Sequence, residues 1–179
     1  MKRFILTGTP GAGKTAVLRQ LEMDGFGVVE EAATDVIALW QAQGIAEPWM
    51  DAKFIDAVVE LQTQRARREA WQPDGVQFHD RSVVCTAALA TYLGRPNSQM
   101  LETALHQIVR KPFFERQVFF LRNLGFVTPS EARRISLEQA LRFERIHEET
   151  YCELGFAVHW IEPGSVLERV RAIKREVGI

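Results

Sequence analysis

The segment Gly8-Thr9-Pro10-Gly11-Ala12-Gly13-Lys14-Thr15 constrains this chain more than any other. It follows the apolar run Phe4 to Leu6 and precedes Ala16, Val17, Leu18 and Leu21, whose spacing is helical. The order is strand, glycine-rich loop, helix, which places a complete G-x-x-x-x-G-K-[ST] pattern where its mechanism needs it. Glycines let the backbone curl so that successive N–H groups face inward, and the helix N-terminus adds partial positive charge. Such a loop cradles phosphate. Lys14 is expected to reach the β- and γ-phosphates of a nucleotide, and the Thr15 hydroxyl to ligate Mg²⁺. With glycine at about 7% of residues, an incidental match to this pattern is rare in one short chain.

The rest of the chain alternates strand and helix patterns. Phe26 to Val29 reads as a second strand ending in the acidic pair Glu30 and Glu31. Helical patterns follow at about 32–43 and 51–70, the latter with Phe54, Ile55, Val58, Val59 and Leu61 in one stripe, and Pro73-Asp74-Gly75 stops it. Val76 to Asp80 is a third strand, after which Ser82 caps a helix to about 93 and Ser98 caps another to about 110, closed by Pro112. Gln117 to Leu121 is a fourth strand. Thr128 to Glu131 and Ser136 to Gln139 are two capping boxes so close together that they predict a broken helix. From Leu137 the helical pattern runs to Leu154, Gly155 ends it, Phe156 to Ile161 is a fifth strand, and Ser165 to Glu168 caps a final helix. This alternation predicts an α/β fold, a mostly parallel sheet covered on both faces, with ligands at the carboxyl ends of the strands. A single domain over 1–179 is expected, with a lid-like segment at about 123–136.

Charge narrows the partners. The chain has 22 Lys+Arg against 23 Asp+Glu, a formal net charge of -1, so no global basic field attracts nucleic acid or anionic lipid. No run approaches the roughly 18 to 20 apolar residues of a membrane span, and the N-terminus lacks a signal-peptide core, so a cytoplasmic location is expected. Cys85 and Cys152 stand in no C-x-x-C pair and are expected to be buried thiols in a reducing compartment.

Several residues are candidates around the loop. Asp80, ending the third strand, is the natural second acid of a Mg²⁺ site, since no other strand end supplies an Asp. Glu30 and Glu31 end the second strand on the same sheet edge; successive strand residues point to opposite faces, so one of them is expected to face the pocket and orient a hydroxyl for attack on the γ-phosphate, the other reading being a solvated pair at a helix start. Arg133 and Arg134 lie between the capping boxes, as lid arginines or as an ordinary basic helix face. Arg81 either binds substrate or pairs with an acid, and Arg122 is a weaker lid candidate. Trp40, Trp49, Phe54 and Trp71 are read as core rather than as base-stacking groups. His79, His106, His147 and His159 have no ligand spacing and receive no chemistry.

On these residues the chain resembles the P-loop kinase superfamily, and within it the AAA-domain-like family that includes the nicotinamide riboside kinase domains of bifunctional NAD-biosynthesis proteins. The resemblance is carried by Gly8 to Thr15, Val28-Val29-Glu30-Glu31-Ala32-Ala33, His79-Asp80-Arg81-Ser82, Glu131 to Ser136 and Pro163-Gly164-Ser165. The Asp-Arg-Ser element is also similar to that of deoxynucleoside and thymidylate kinases. The resemblance implies a three-layer P-loop NTPase sandwich with strand order 2-3-1-4-5, Glu30 or Glu31 on the acceptor hydroxyl, lid arginines on phosphates, and 163–166 beside adenine. The expected activity is ATP- and Mg²⁺-dependent phosphoryl transfer to a nucleoside, nucleotide or related metabolite. The competing reading is a nucleotide-binding switch or slow ATPase acting through a protein partner. An RNA- or DNA-end kinase is disfavoured by the charge, although Arg65, Arg67 and Arg68 hint at a local cluster. No Asn-Lys-x-Asp guanine-reading motif is present, and the length argues against a ring-forming AAA+ motor.

Overall fold

The structure, a computed structural model, describes residues 1–68, 75–111, 113–125 and 136–179. Arg133, Arg134, Trp71, Pro73, Asp74, Pro112, most of the expected lid and the first capping box lie outside the described residues.

Strand β1 (Lys2–Thr7) is the centre of a five-stranded sheet. Around it lie β2 (Gly27–Val29), β3 (Val76–Asp80), β4 (Gln117–Leu121) and β5 (Ala157–Ile161), in the order β2-β3-β1-β4-β5. Every pairing is parallel. Parallel neighbours need a crossover, and here the helices supply it while covering the faces of the sheet. On one face lie α1 (Lys14–Met23) and α7 (Val166–Val177). The other carries α2 (Ala33–Ala42), α3 (Phe54–Arg68), α4 (Val83–Tyr92), α5 (Gln99–Arg110) and α6 (Leu137–Glu153).

The continuous apolar run of β1 follows from this double cover. Phe4 and Leu6 pack with Leu18, Leu21 and Ile173, while Ile5 points the other way and packs with Val36, Phe54, Leu101 and Tyr151. Trp40 and Trp49 lie against the same cluster as Phe54, which makes them core residues, as expected.

Helix starts follow the serines. Ser82, Ser98, Ser136 and Ser165 each accept a backbone N–H of the first turn they precede, each contributing about 1 kcal/mol. Ser136 and Ser165 complete capping boxes with Gln139 and Glu168. The helix expected from Asp51 begins at Phe54 instead, after a single 3-10 turn at Pro48–Met50. Asp51 is extended and its carboxylate accepts the Lys53 N–H, a local turn that competes with helix and delays it. Cys85 is buried, but Cys152 is exposed: it follows the fully buried Tyr151 on α6 and therefore faces outward, so only one of the two thiols lies in the core. Among the described residues no helix is long and apolar enough to cross a membrane.

Candidate nucleotide and acceptor site

The phosphate loop springs from the end of β1 and is held closed by its own backbone. Gly8 has φ 134°, and a Cβ there would lie 2.4 Å from the Leu121 carbonyl oxygen, so only glycine fits against the end of β4. Ala12 N donates to Thr9 O at 3.1 Å, and the buried Lys14 ammonium donates to the same oxygen at 3.1 Å. Helix α1 then begins at Lys14, after Gly13, with no acid in its first turn and, unlike α4 to α7, with no side-chain cap. Its first N–H groups have no acceptor within the helix. A loop of inward amides, a lysine and an uncapped helix end together make an anion site suited to a polyphosphate.

The metal candidates fit a hard cation. Asp80 is placed beside the loop by sheet register, since Leu6 pairs with Asp80 and Arg81 N donates to Leu6 O at 2.9 Å. Thr15 lies in the exposed first turn of α1. One hydroxyl and one carboxylate are the sparse oxygen set that Mg²⁺ accepts when phosphates and water complete its shell. Among the described residues no cluster of three or more His, Cys, Asp or Glu offers a site for a metal bound by protein alone.

The two glutamates separate. Glu30 is about half exposed and pairs with Arg19 of α1 on the surface. Glu31 is 15% exposed and accepts from Arg81 Nε at 2.6 Å, with Thr34 Oγ1 donating to its other oxygen at 2.7 Å. Arg65 on α3 fixes this turn by donating to the carbonyls of Glu30 and Glu31 and pairing with Asp35. The structure thus brings Glu31, Asp80 and Arg81 to the ends of β2 and β3, and leaves Glu30 at the rim. Of the arginines that hinted at a nucleic-acid cluster, Arg65 is committed internally, Arg67 is exposed, and the Arg68 side chain lies outside the described residues.

Arg81 is the only non-glycine residue with positive φ among the described residues, at 72°. Such a conformation costs about 1–3 kcal/mol and persists where surrounding bonds over-determine it. Here they do. Its guanidinium reaches Glu31 and, through Nη1, His147 Nε2 at 3.2 Å. Burial opposes its charge, but the groups around it, Glu31 foremost and Asp80 among the others, together outweigh this, so its pKa is raised. Ser82, next in the chain, shares a hydrogen bond of 3.0 Å with the buried Tyr151 hydroxyl, which also meets Cys85 Sγ at 3.0 Å. These contacts anchor the turn from below.

His147 was not legible as part of this site. It is fully buried on α6, and its Nδ1 lies 2.9 Å from the Phe143 carbonyl, so Nδ1 carries the proton and Nε2 accepts from Arg81. Burial, reinforced by the Arg81 charge, pushes its pKa down to about 3. The unfolded chain takes up that proton below about pH 6.5 and the folded one does not, so this contribution to stability is lost as pH falls from 6.5 towards 3. At pH 5 the loss is on the order of 2 kcal/mol. His147→Gln is expected to shrink the difference in unfolding free energy between pH 7.5 and 5.0 by about that amount in urea titrations. An unchanged difference would contradict a buried neutral imidazole.

Two more residues escaped the sequence reading. Asn123, just past β4, donates from its amide to Pro10 O at 3.2 Å and accepts from Gly125 N at 2.8 Å, tying the start of the expected lid to the phosphate loop. Arg169 on α7 is 3% exposed and donates to Ala12 O at 2.6 Å. Neither position follows a spacing rule, and Arg169 reads in sequence as one more cation of an amphipathic helix. Arg122 does not reach the loop by its side chain: its guanidinium lies 3.9 Å over the Trp160 ring and pairs with Glu162 at 3.0 Å.

A cavity of about 260 Å³ opens beside the ends of β2 and β3, lined by Glu30, Gln62, Arg65, Asp80, Arg81 and Phe114 among others. No residue of 8–15 lines it. Asp80 thus lines the cavity and, through the pairing of β3 with β1, stands next to the strand from which residues 8–15 leave the sheet.

Parallel sheet order, loop and register define a P-loop α/β domain of the nucleotide-binding kind. Residues 3–169 match the AAA domain family, and the chain belongs to that family. Among solved structures, NadR protein in complex with NAD and AMP-PNP matches with a TM-score of 0.71 and 19% identity, over 99% of this chain and 50% of that one. Deoxyadenosine kinase from M. mycoides, with dCMP and dCDP bound, matches with a TM-score of 0.62 and 14% identity, over 98% of both chains. Thymidylate kinase from Ehrlichia chaffeensis matches with a TM-score of 0.63 and 14% identity, again over 98% of both. At these identities the likeness is one of fold, and this chain spans about half the length of the NadR chain. Comparison with curated proteins finds no sequence match.

Proposed function

We propose that this protein is an ATP-dependent kinase that moves the γ-phosphoryl group to a hydroxyl or phosphate of a nucleoside, nucleotide or related small metabolite. The observation that carries this reading is the shielded Glu31–Arg81 pair at the ends of β2 and β3, on the sheet edge that also carries Asp80. A nucleotide switch needs the loop and a metal acid; it has no use for a second, shielded carboxylate and guanidinium facing the same edge. The fold shared with NadR, deoxyadenosine kinase and thymidylate kinase supports the same class.

In this reading residues 8–15 hold the triphosphate, with Lys14 leaving Thr9 O for the β- and γ-phosphates. Mg²⁺, held by Thr15 and Asp80 together with the nucleotide, would offset charge on the phosphoryl oxygens. Glu31 accepts the hydroxyl proton of the acceptor and orients the oxygen for in-line attack, while Arg81 binds the acceptor or the transferred group. Arg133 and Arg134 are proposed as lid arginines that close over the phosphates and exclude water. The cavity of about 260 Å³ lies just under the roughly 300–1,000 Å³ of drug-sized ligand pockets, room for part of a small acceptor.

The test is whether ADP formation from Mg-ATP depends on an acceptor. A panel of nucleosides, nucleotides, phosphorylated sugars and oligonucleotides is expected to contain at least one compound that raises the rate by about tenfold or more, with Lys14→Ala lowering the stimulated rate by about 10²-fold or more. A basal rate that no acceptor changes favours the switch or slow ATPase.

A further inference from the structure

Arg169 is bonded to three separate loops at once. Its Nη1 donates to Ala12 O at 2.6 Å in the phosphate loop, and its Nη2 to Arg122 O at 2.8 Å and Ile161 O at 3.4 Å, at the ends of β4 and β5. Its Nε donates to Glu162 O at 3.1 Å, in the loop that leads into α7. All these acceptors are main-chain carbonyls, and among the described residues Arg169 forms no ion pair. The guanidinium is therefore a buried positive charge that no carboxylate of the described residues neutralises by contact. It also lies close under the start of α1, since a Cβ on Gly13 would sit 3.2 Å from Nη1. Only a planar fork with several fixed donors serves carbonyls from three directions; a lysine ammonium has donors enough but no such reach.

We infer that Arg169 is a positioning residue for the nucleotide. It sets the distance between the phosphate loop and the 162–165 loop, and it places a fixed cation beneath the triphosphate. The consequence is a coupling: the 162–165 loop, most of which the family resemblance sets beside adenine, and the loop 8–15 move together because one guanidinium holds both. This rests on the nucleotide-binding reading above and adds to it a reason why ATP would bind better than its polyphosphate alone.

Calorimetric titration of Mg-ATP and of Mg-tripolyphosphate into wild type, Arg169→Lys and Arg169→Met tests this, at a temperature where circular dichroism shows each protein folded. Arg169→Met is expected to weaken ATP by about 100-fold and tripolyphosphate by about tenfold, because it loses both the spacing and the charge. Arg169→Lys is expected to bring tripolyphosphate back to within about threefold of wild type while ATP stays about tenfold weak, because an ammonium restores charge but not the bridge. If Met does not fold, the ratio of the two affinities in the Lys variant decides. A fall of both ligands by the same factor in the Lys variant, or wild-type affinity for ATP in a folded Met variant, overturns the inference. Failure of the wild type itself to bind either ligand would instead overturn the nucleotide reading on which it rests.

Discussion

Glu31→Gln is expected to slow phosphoryl transfer by about 10²- to 10⁴-fold, the range for loss of a positioned proton acceptor, while ATP affinity stays within about twofold. Glu30→Gln is expected to change neither by more than about twofold. The two residues are neighbours in sequence with the same side chain, so the contrast isolates geometry. Glu30 stands half exposed at the edge of the cavity and is already engaged by Arg19, where an exposed pair contributes 0 to about 1 kcal/mol. Glu31 is held by Arg81 and Thr34 in a shielded position at the acceptor edge. Gln at 31 keeps the shape and the hydrogen bond to Arg81 but cannot take a proton. Steady-state kinetics with ATP binding measured separately distinguishes the steps. Equal effects in both variants, or none in either, would remove Glu31 from its role.

Gly8→Ala is expected to abolish useful nucleotide binding, with ATP affinity falling by about 100-fold or more, and to lower the thermal midpoint by about 5–10 °C. A methyl group at this position meets a backbone oxygen at 2.4 Å and the Ala12 side chain at 3.3 Å, and φ 134° is a conformation that alanine resists. Neither obstacle is a flexible side chain that can swing aside, so either the phosphate loop or the end of β4 must shift. Gly25→Ala is the control: φ is positive there too, at 91°, but nothing lies within 4 Å of the added carbon. It is expected to cost about 1 kcal/mol or slightly more and to leave ATP affinity unchanged. Binding by calorimetry and melting by scanning fluorimetry report both effects. Normal ATP affinity in Gly8→Ala would contradict the proposed loop.

The parts of this molecule written in local sequence are those a reader of the chain recovers. The glycine-rich loop declares itself because it needs particular residues at particular spacing, and four serine caps sit one residue before the helices they start. Central strands are legible as apolar runs because both faces of the sheet are covered. Strand order is different. It is a property of which runs lie side by side, and only resemblance supplied 2-3-1-4-5. The site divides along the same line. Asp80 follows from ending a strand, but the choice between Glu30 and Glu31 waits on the register and on Arg81, whose left-handed turn no composition rule reveals. His147, Asn123 and Arg169 come from α6, the β4 end and α7, 66, 113 and 157 positions away from the groups they hold. Contacts of that reach have no periodic signature. The exposed Cys152 shows the limit in reverse, since residue type alone predicts burial and the helical phase set by Tyr151 reverses it.

The central claim is that the γ-phosphoryl group ends on an organic acceptor. ATP carrying isotopic label in that group, incubated with the protein, Mg²⁺ and the acceptor panel, allows its destination to be read by mass spectrometry. Label is expected in one phosphorylated metabolite, formed in step with ADP and lost in Glu31→Gln. Label found solely in inorganic phosphate, at a rate that no acceptor alters, would contradict it.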